Sequence, residues 1–197
     1  MRVLAGLGNP GPRYRGTRHN AGYLVLDELA RRWQLRFRPL RTYDEARVRE
    51  LTLVKPTTFM NLSGQAVQAA LTRASAPPSE LLVVHDDLDL PLGRLRFRSG
   101  GGAGGQRGVA DIIASLGPGF PRLKVGISRP PEGWTAERWV LSRFADDESP
   151  LLERVVRAAA DAIEVWLERG PEAAMTLVNG LDLASGGDDP TVDPLER

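Results

Sequence analysis

The chain has 197 residues, 42% of them hydrophobic and 26% charged, with a formal net charge of +1. That fits a single domain long enough to bury a core. The absence of cysteine excludes disulfides, thiolate metal sites and cysteine nucleophiles, and two histidines, His19 and His85, are too few for a histidine-rich metal centre.

Arg2–Leu7 reads as a short buried strand entering a Gly/Pro-rich loop at Gly8–Gly16. The opening MRVLAGLGNPG breaks too early for a signal peptide. Asn20–Trp33 follows as a helix with Tyr23, Leu24, Leu26, Leu29 and Ala30 on its apolar face. Ala46–Val54 predicts a strand or hairpin pair ending at Lys55-Pro56, where a missing N–H discourages further pairing. Asn61–Ala74 is helical in phase, with Asn61 as its N-cap, and Pro77-Pro78 stop it. Leu81–His85 is a continuous apolar run, the pattern of a central strand covered on both faces. Gly93–Arg98 alternates arginine with Leu95 and Phe97, a half-exposed strand with arginines on one side. A glycine loop, Ser99–Gly105, leads into a helix at Arg107–Leu116, then a strand at Leu123–Ile127. Helices at Glu148–Arg169 and Glu172–Val178 complete a domain spanning 1–183, and the tail from Ala184 is expected to be disordered. Strands alternating with helices predict an α/β fold: one domain, a twisted mixed sheet flanked by helices. No run approaches the ~18 apolar residues of a membrane span.

Charge is spread unevenly. Of the 26 basic residues 24 are arginine, the side chain whose planar fork fits phosphate. Residues 1–26 carry Arg2, Arg13, Arg15 and Arg18 with no acid, and residues 90–110 carry Arg94, Arg96, Arg98 and Arg107 with none. From Asp182 onward there are five acids and one base. Acid-free basic stretches beside glycine-rich loops point to a polyanionic ligand, with solvated loop faces as the plain alternative.

Gly6-Leu-Gly8-Asn-Pro-Gly11 has the spacing of a dinucleotide fingerprint. That site needs a helix to start inside the loop, and Pro10, Pro12 and Gly16 delay it to Asn20. A nucleotide-dependent oxidoreductase is therefore disfavoured. The loop instead delivers His19 to a helix start just past the first strand's C-terminal end, where open α/β sheets bind ligands. An imidazole with a pKa near ~6.5 there suits a general base, although a plain helix-terminal residue fits the same position. Asp86 either orients an imidazole or only terminates its strand; His85, beside Val83 and Val84, reads as structural; Asn9, before Pro10-Gly11, reads as a turn residue. Gly100–Gly105 places five glycines in six residues, as a ligand approach or a gate requires, but lacks the Gly-Lys-Ser/Thr ending of a nucleotide P-loop.

Taken together, GLGNPGPRYRGTRHNAGY (6–23), KPTTFMNLSGQAV (55–67), HDDLDLPLGRLRFR (85–98), GGGAGGQRG (100–108) and RLKVGISRP (122–130) resemble, in order, the signature segments of the bacterial peptidyl-tRNA hydrolase family. The resemblance covers roughly residues 1–180. It implies a cytoplasmic monomer, acting without metal or cofactor, that hydrolyses the ester joining a peptide to the tRNA 3′ ribose. On it, His19 corresponds to the catalytic base and Asp86 to the acid that sets its tautomer. Asn9, Tyr14, Met60, Asn61 and Arg107 fall around the substrate, with the Asn61 side-chain N–H as a candidate oxyanion donor. Arg96, Arg98, Arg122 and Lys124 fall where tRNA phosphates are held.

The chain departs from the pattern after the glycine loop. Many members carry His-Asn-Gly where this one has Gln106-Arg107-Gly108, and Ala103 replaces a frequent histidine. The lost asparagine is usually counted among the substrate-binding groups; Gln106 carries an amide one position earlier and Arg107 a cation. A relative of this fold acting as an RNA-splicing factor is the competing reading, and the retention of Asn9, His19, Asn61 and Asp86 together argues against it.

Overall fold

In the computed structural model, which describes residues 1–185, the chain runs through β1 (Arg2–Gly6), α1 (Ala21–Arg32), β2 (Arg38–Pro39), β3 (Tyr43–Val48), β4 (Leu51–Pro56), α2 (Ser63–Ala74) and β5 (Leu81–Asp87). It continues through β6 (Leu95–Arg98), α3 (Arg107–Leu116), β7 (Arg122–Gly126), α4 (Ala136–Val140), α5 (Ser149–Arg169) and α6 (Pro171–Val178). Of the tail expected from Ala184, residues 186–197 lie outside the described residues.

One seven-stranded sheet is ordered β2-β3-β4-β1-β5-β7-β6. Its middle strands β4, β1, β5 and β7 are parallel, and β3 and β6 add on antiparallel, so the sheet is mixed. The chain leaves β1 for β4 on one side and then crosses to β5 on the other. Right-handed crossovers in opposite directions place their helices on opposite faces. Alternation along the strands fills both layers. Leu4, Leu53, Leu82 and Val84 pack with α1, α5 and α6, while Val3, Ala5, Leu81 and Val83 pack with α2 and α3. β5 is buried along its whole length, as its apolar run predicts.

Three local differences from the sequence reading have physical causes. β4 extends through Pro56, because the Thr57 N–H to Thr42 carbonyl bond (2.8 Å) makes Tyr43–Pro56 a pair that asks no N–H of the proline. Asn61 is not an N-cap. A single 3-10 turn, Met60–Leu62, runs straight into α2, and Asp111 from α3 accepts the Gly64 N–H at 2.7 Å instead. The short elements β2 and α4 have too few residues to show a period in the sequence. Among the described residues no helix is long and apolar enough to cross a membrane.

Candidate active site

β1 lies where the order of strands reverses, and such a switch point leaves a crevice at the strands' C-terminal ends. Three strands deliver loops into it. The loop after β1 is folded back on itself by Asn20, whose Oδ1 accepts the Asn9 N–H (2.8 Å) and whose Nδ2 donates to the Asn9 carbonyl (3.0 Å). This clamp sets Asn9 beside the 3-10 turn Arg18–Asn20 that carries His19. α1 can start so close because Gly22 has no side chain: a Cβ there would lie 2.4 Å from both the Leu7 nitrogen and the Val84 carbonyl oxygen.

β5 carries Asp86 one residue before its end, and that side chain is 2% exposed. Its Oδ2 lies 2.8 Å from His19 Nδ1, and its Oδ1 accepts from Gln106 Nε2 at 3.0 Å. An ionised carboxylate only accepts, so Nδ1 carries the proton and Nε2 is left with its lone pair. His19 lines the cavity and is 9% exposed. The other histidine, His85, is buried. Burial lowers its pKa, Nδ1 bonds the Asp86 main-chain carbonyl at 2.8 Å, and Nε2 finds no partner among the described residues.

After β4, the Met60 N–H donates to Asn9 Oδ1 at 2.9 Å. That bond fixes the Asn9 amide, so its Nδ2 is the end offered to the cavity. Asn61, freed from capping, is exposed at the same cavity. The cavity has a volume of about 350 Å³, and Tyr14, Met60 and Arg107 also line it. Two exposed apolar side chains, Phe59 and Leu141, border it as well.

α4 supplies part of the wall, through Ala136, Glu137 and Val140. Trp139 pins it by donating Nε1 to the Ser128 carbonyl at 2.8 Å. The Arg18 guanidinium lies 3.7 Å from the centre of the Trp139 ring, and Arg18 N–H donates to the Ser142 carbonyl at 2.9 Å. The cavity wall is thus fastened to the residue next to His19.

The basic residues divide. Arg96 and Arg98 are exposed on β6, with no hydrogen bond or ion pair among the described residues, and Arg107 is likewise exposed at the start of α3. Lys124 pairs with Asp87 at 2.7 Å. Arg122, expected at the tRNA surface, is turned inward and is 1% exposed. It stands opposite Arg98 on the β6–β7 ladder, but the glycine loop folds over it: Nη1 donates to the Gly102 carbonyl (2.6 Å) and Nη2 to that of Pro118 (3.3 Å). Burial without a carboxylate partner lowers its pKa. Nor is the Gln106 amide free to stand in for the asparagine expected after the glycine loop, since it is bonded at both ends, to Asp86 and to the Val109 N–H.

Asn20, Gln106 and Arg18 are the positions that sequence reasoning did not place. Asn20 and Arg18 flank His19, and Gln106 ends the glycine loop, but which partner each takes depends on contacts 11 to 130 residues away. Among the described residues no group of three or more His, Cys, Asp or Glu could hold a metal ion.

The family model described as peptidyl-tRNA hydrolase matches residues 3–185. A peptidyl-tRNA hydrolase of Syntrophomonas wolfei is 47% identical over 185 residues, covering 91% of this chain and 100% of the relative. One from Rubrobacter xylanophilus is 51% identical over 178 residues, covering 88% and 98%. The crystal structure of the Acinetobacter baumannii peptidyl-tRNA hydrolase superposes with a TM-score of 0.88 at 31% identity, covering 93% of this chain and 97% of that one.

Proposed function

The chain belongs to the peptidyl-tRNA hydrolase family, and from that premise we propose that it cleaves the peptide–tRNA ester with a water deprotonated at His19 Nε2. The observation that carries this reading is the 2.8 Å contact of His19 Nδ1 with Asp86 Oδ2, which commits one ring nitrogen and leaves the other for the cavity.

Water gives its proton to Nε2 as its oxygen attacks the ester carbonyl. The oxyanion that forms accepts hydrogen bonds from Asn9 Nδ2, held by the Met60 N–H, and from the Asn61 amide. Collapse breaks the ester bond, and the imidazolium returns its proton to the departing 3′ oxygen, leaving a free ribose hydroxyl and a peptide carboxylic acid that loses its proton to solvent. The reaction as written uses no metal, cofactor or enzyme nucleophile. Tyr14 and Met60 enclose the peptidyl group, and the two asparagines favour an acyl chain bearing a peptide amide over a free amino acid. Arg96 and Arg98, joined by Lys124 and Arg107, hold tRNA phosphates, a contact that supplies affinity without reading bases.

The test is hydrolysis of N-acetyl-aminoacyl-tRNA by purified protein with no added cofactor. His19→Ala should slow it by about 10²–10⁴-fold, the range of general-base catalysis. Equal rates on N-acetylated and free aminoacyl-tRNA would refute the role given to the asparagines.

A further inference from the structure

We propose that Gln106 is a positioning residue of this hydrolysis, holding Asp86 as the acceptor that fixes the His19 tautomer; the inference rests on His19 being the base. A buried carboxylate needs donors, and no cation touches this one. Oδ2 faces His19 Nδ1, and Oδ1 receives Gln106 Nε2 at 3.0 Å, the other side-chain donor Asp86 has among the described residues.

The amide cannot turn over. Gln106 caps α3, and its Oε1 accepts the Val109 N–H at 2.8 Å. Flipping it would face N–H against N–H at Val109 and oxygen against oxygen at Asp86. Packing enforces the same placement. Nε2 rests 3.2 Å from Met60 Sδ, and Gly108 leaves room for both, since a Cβ there would stand 2.5 Å from Met60 Sδ and 3.1 Å from Gln106 Oε1. The N-terminal turn of α3 therefore orients Gln106, Gln106 orients Asp86, and Asp86 orients the imidazole. An amide does not ionise, so Gln106 presents the same donor to Asp86 at every pH at which the protein is folded.

The experiment compares Gln106→Met, a near-isosteric change that removes the donor, with Gln106→His, which returns an N–H that gains charge near pH ~6.5. His19→Ala is run alongside. For Gln106→Met, kcat on N-acetyl-aminoacyl-tRNA should fall roughly 10- to 100-fold, as for a lost hydrogen bond to a charged group, with KM changed less than about two-fold. The acid limb of kcat/KM should move to higher pH, because a carboxylate short of a donor binds the imidazolium more tightly. Gln106→His should recover most of kcat at pH 8 and add a second ionisation to the acid limb. A role confined to capping α3 would lower Tm and leave both kcat and the acid limb in place, and that result overturns the proposal. If the methionine variant does not fold, the histidine variant decides alone: an acid limb with no added ionisation overturns it. Should His19→Ala retain wild-type activity, the general-base reading itself fails, an outcome distinct from a silent Gln106.

Discussion

Arg18 and Glu148 form a two-pronged ion pair, with Nη1 to Oε1 at 3.1 Å and Nη2 to Oε2 at 2.6 Å, joining the turn that bears His19 to the segment entering α5. Arg18 also stacks on Trp139 and Phe144 and is almost wholly buried. Burial pushes the Glu148 carboxyl up, but hydrogen bonds from Arg18 and the Ala145 N–H outweigh it and hold the pKa below the usual range.

A depressed carboxylate pKa gives stability that is fully present above the unfolded value near ~4.3 and is lost as pH falls through the folded value. Glu148→Gln removes the charge from two hydrogen bonds to Arg18 and should cost about 2 kcal/mol at pH 7, lowering Tm by roughly 4–8 °C. The gap to wild type should close as melts are repeated from pH 5 downward. It should also raise KM, since the α4 wall loses its fastening.

Asp86→Asn should be far more damaging than its size implies. Gln106 Nε2 demands an oxygen, so the new amide must turn its NH₂ toward His19. The imidazole then accepts at Nδ1 and carries its proton on Nε2, the wrong tautomer for a base. By analogy with the Ser-His-Asp triad, where the same exchange costs ~10⁴ in kcat, a fall of at least about 100-fold is expected in single-turnover hydrolysis. Tm should change little.

Arg98 and Arg122 face each other across one ladder yet should behave differently. Arg98→Gln or Arg96→Gln should each weaken tRNA binding and reduce the log–log salt slope by about 1, measured as Kd over a salt series. Arg122→Gln should lower Tm and leave that slope unchanged, because its guanidinium is bonded to main-chain carbonyls inside the protein.

Gly22→Ala should destabilise by about 3 kcal/mol, the upper range for an added methyl in a packed interior. Its Cβ would meet the backbone of Leu7, just past β1, and of Val84 on β5, neither of which can yield as a flexible side chain would. Chemical denaturation measures this directly. Surviving folded protein should show a reduced kcat, as α1 carries His19 with it.

The fold was legible where the chain repeats a period. The helices Ala21–Arg32 and Arg107–Leu116 and the buried strand Leu81–Asp87 all show in apolar phase, because each has one face or two against the core. The site was legible mostly as motif resemblance, with only His19 also placed by the loop that follows the first strand. That Asn61 faces the cavity instead of capping a helix depends on Asp111, 47 residues from the N–H it accepts. That Arg122 points inward depends on a loop that folds back over it. Strand alternation puts Arg96, Arg98, Arg122 and Lys124 on one face, and no periodicity tells which of them tertiary packing will cover.

Five glycines in six residues ordinarily make a segment that swings as a whole. Here the Gly102 carbonyl accepts from the buried Arg122 guanidinium at 2.6 Å, the shorter of that side chain's two main-chain bonds. Lifting the middle of the segment would leave that buried cation with the Pro118 carbonyl alone, so the post is costly to move and the leaf beyond it, Ala103–Gly105, is the freer part. That leaf borders the cavity and ends on Gln106. The door is accordingly short, and it is hung on the same jamb, Gln106, that donates to the Asp86 carboxylate.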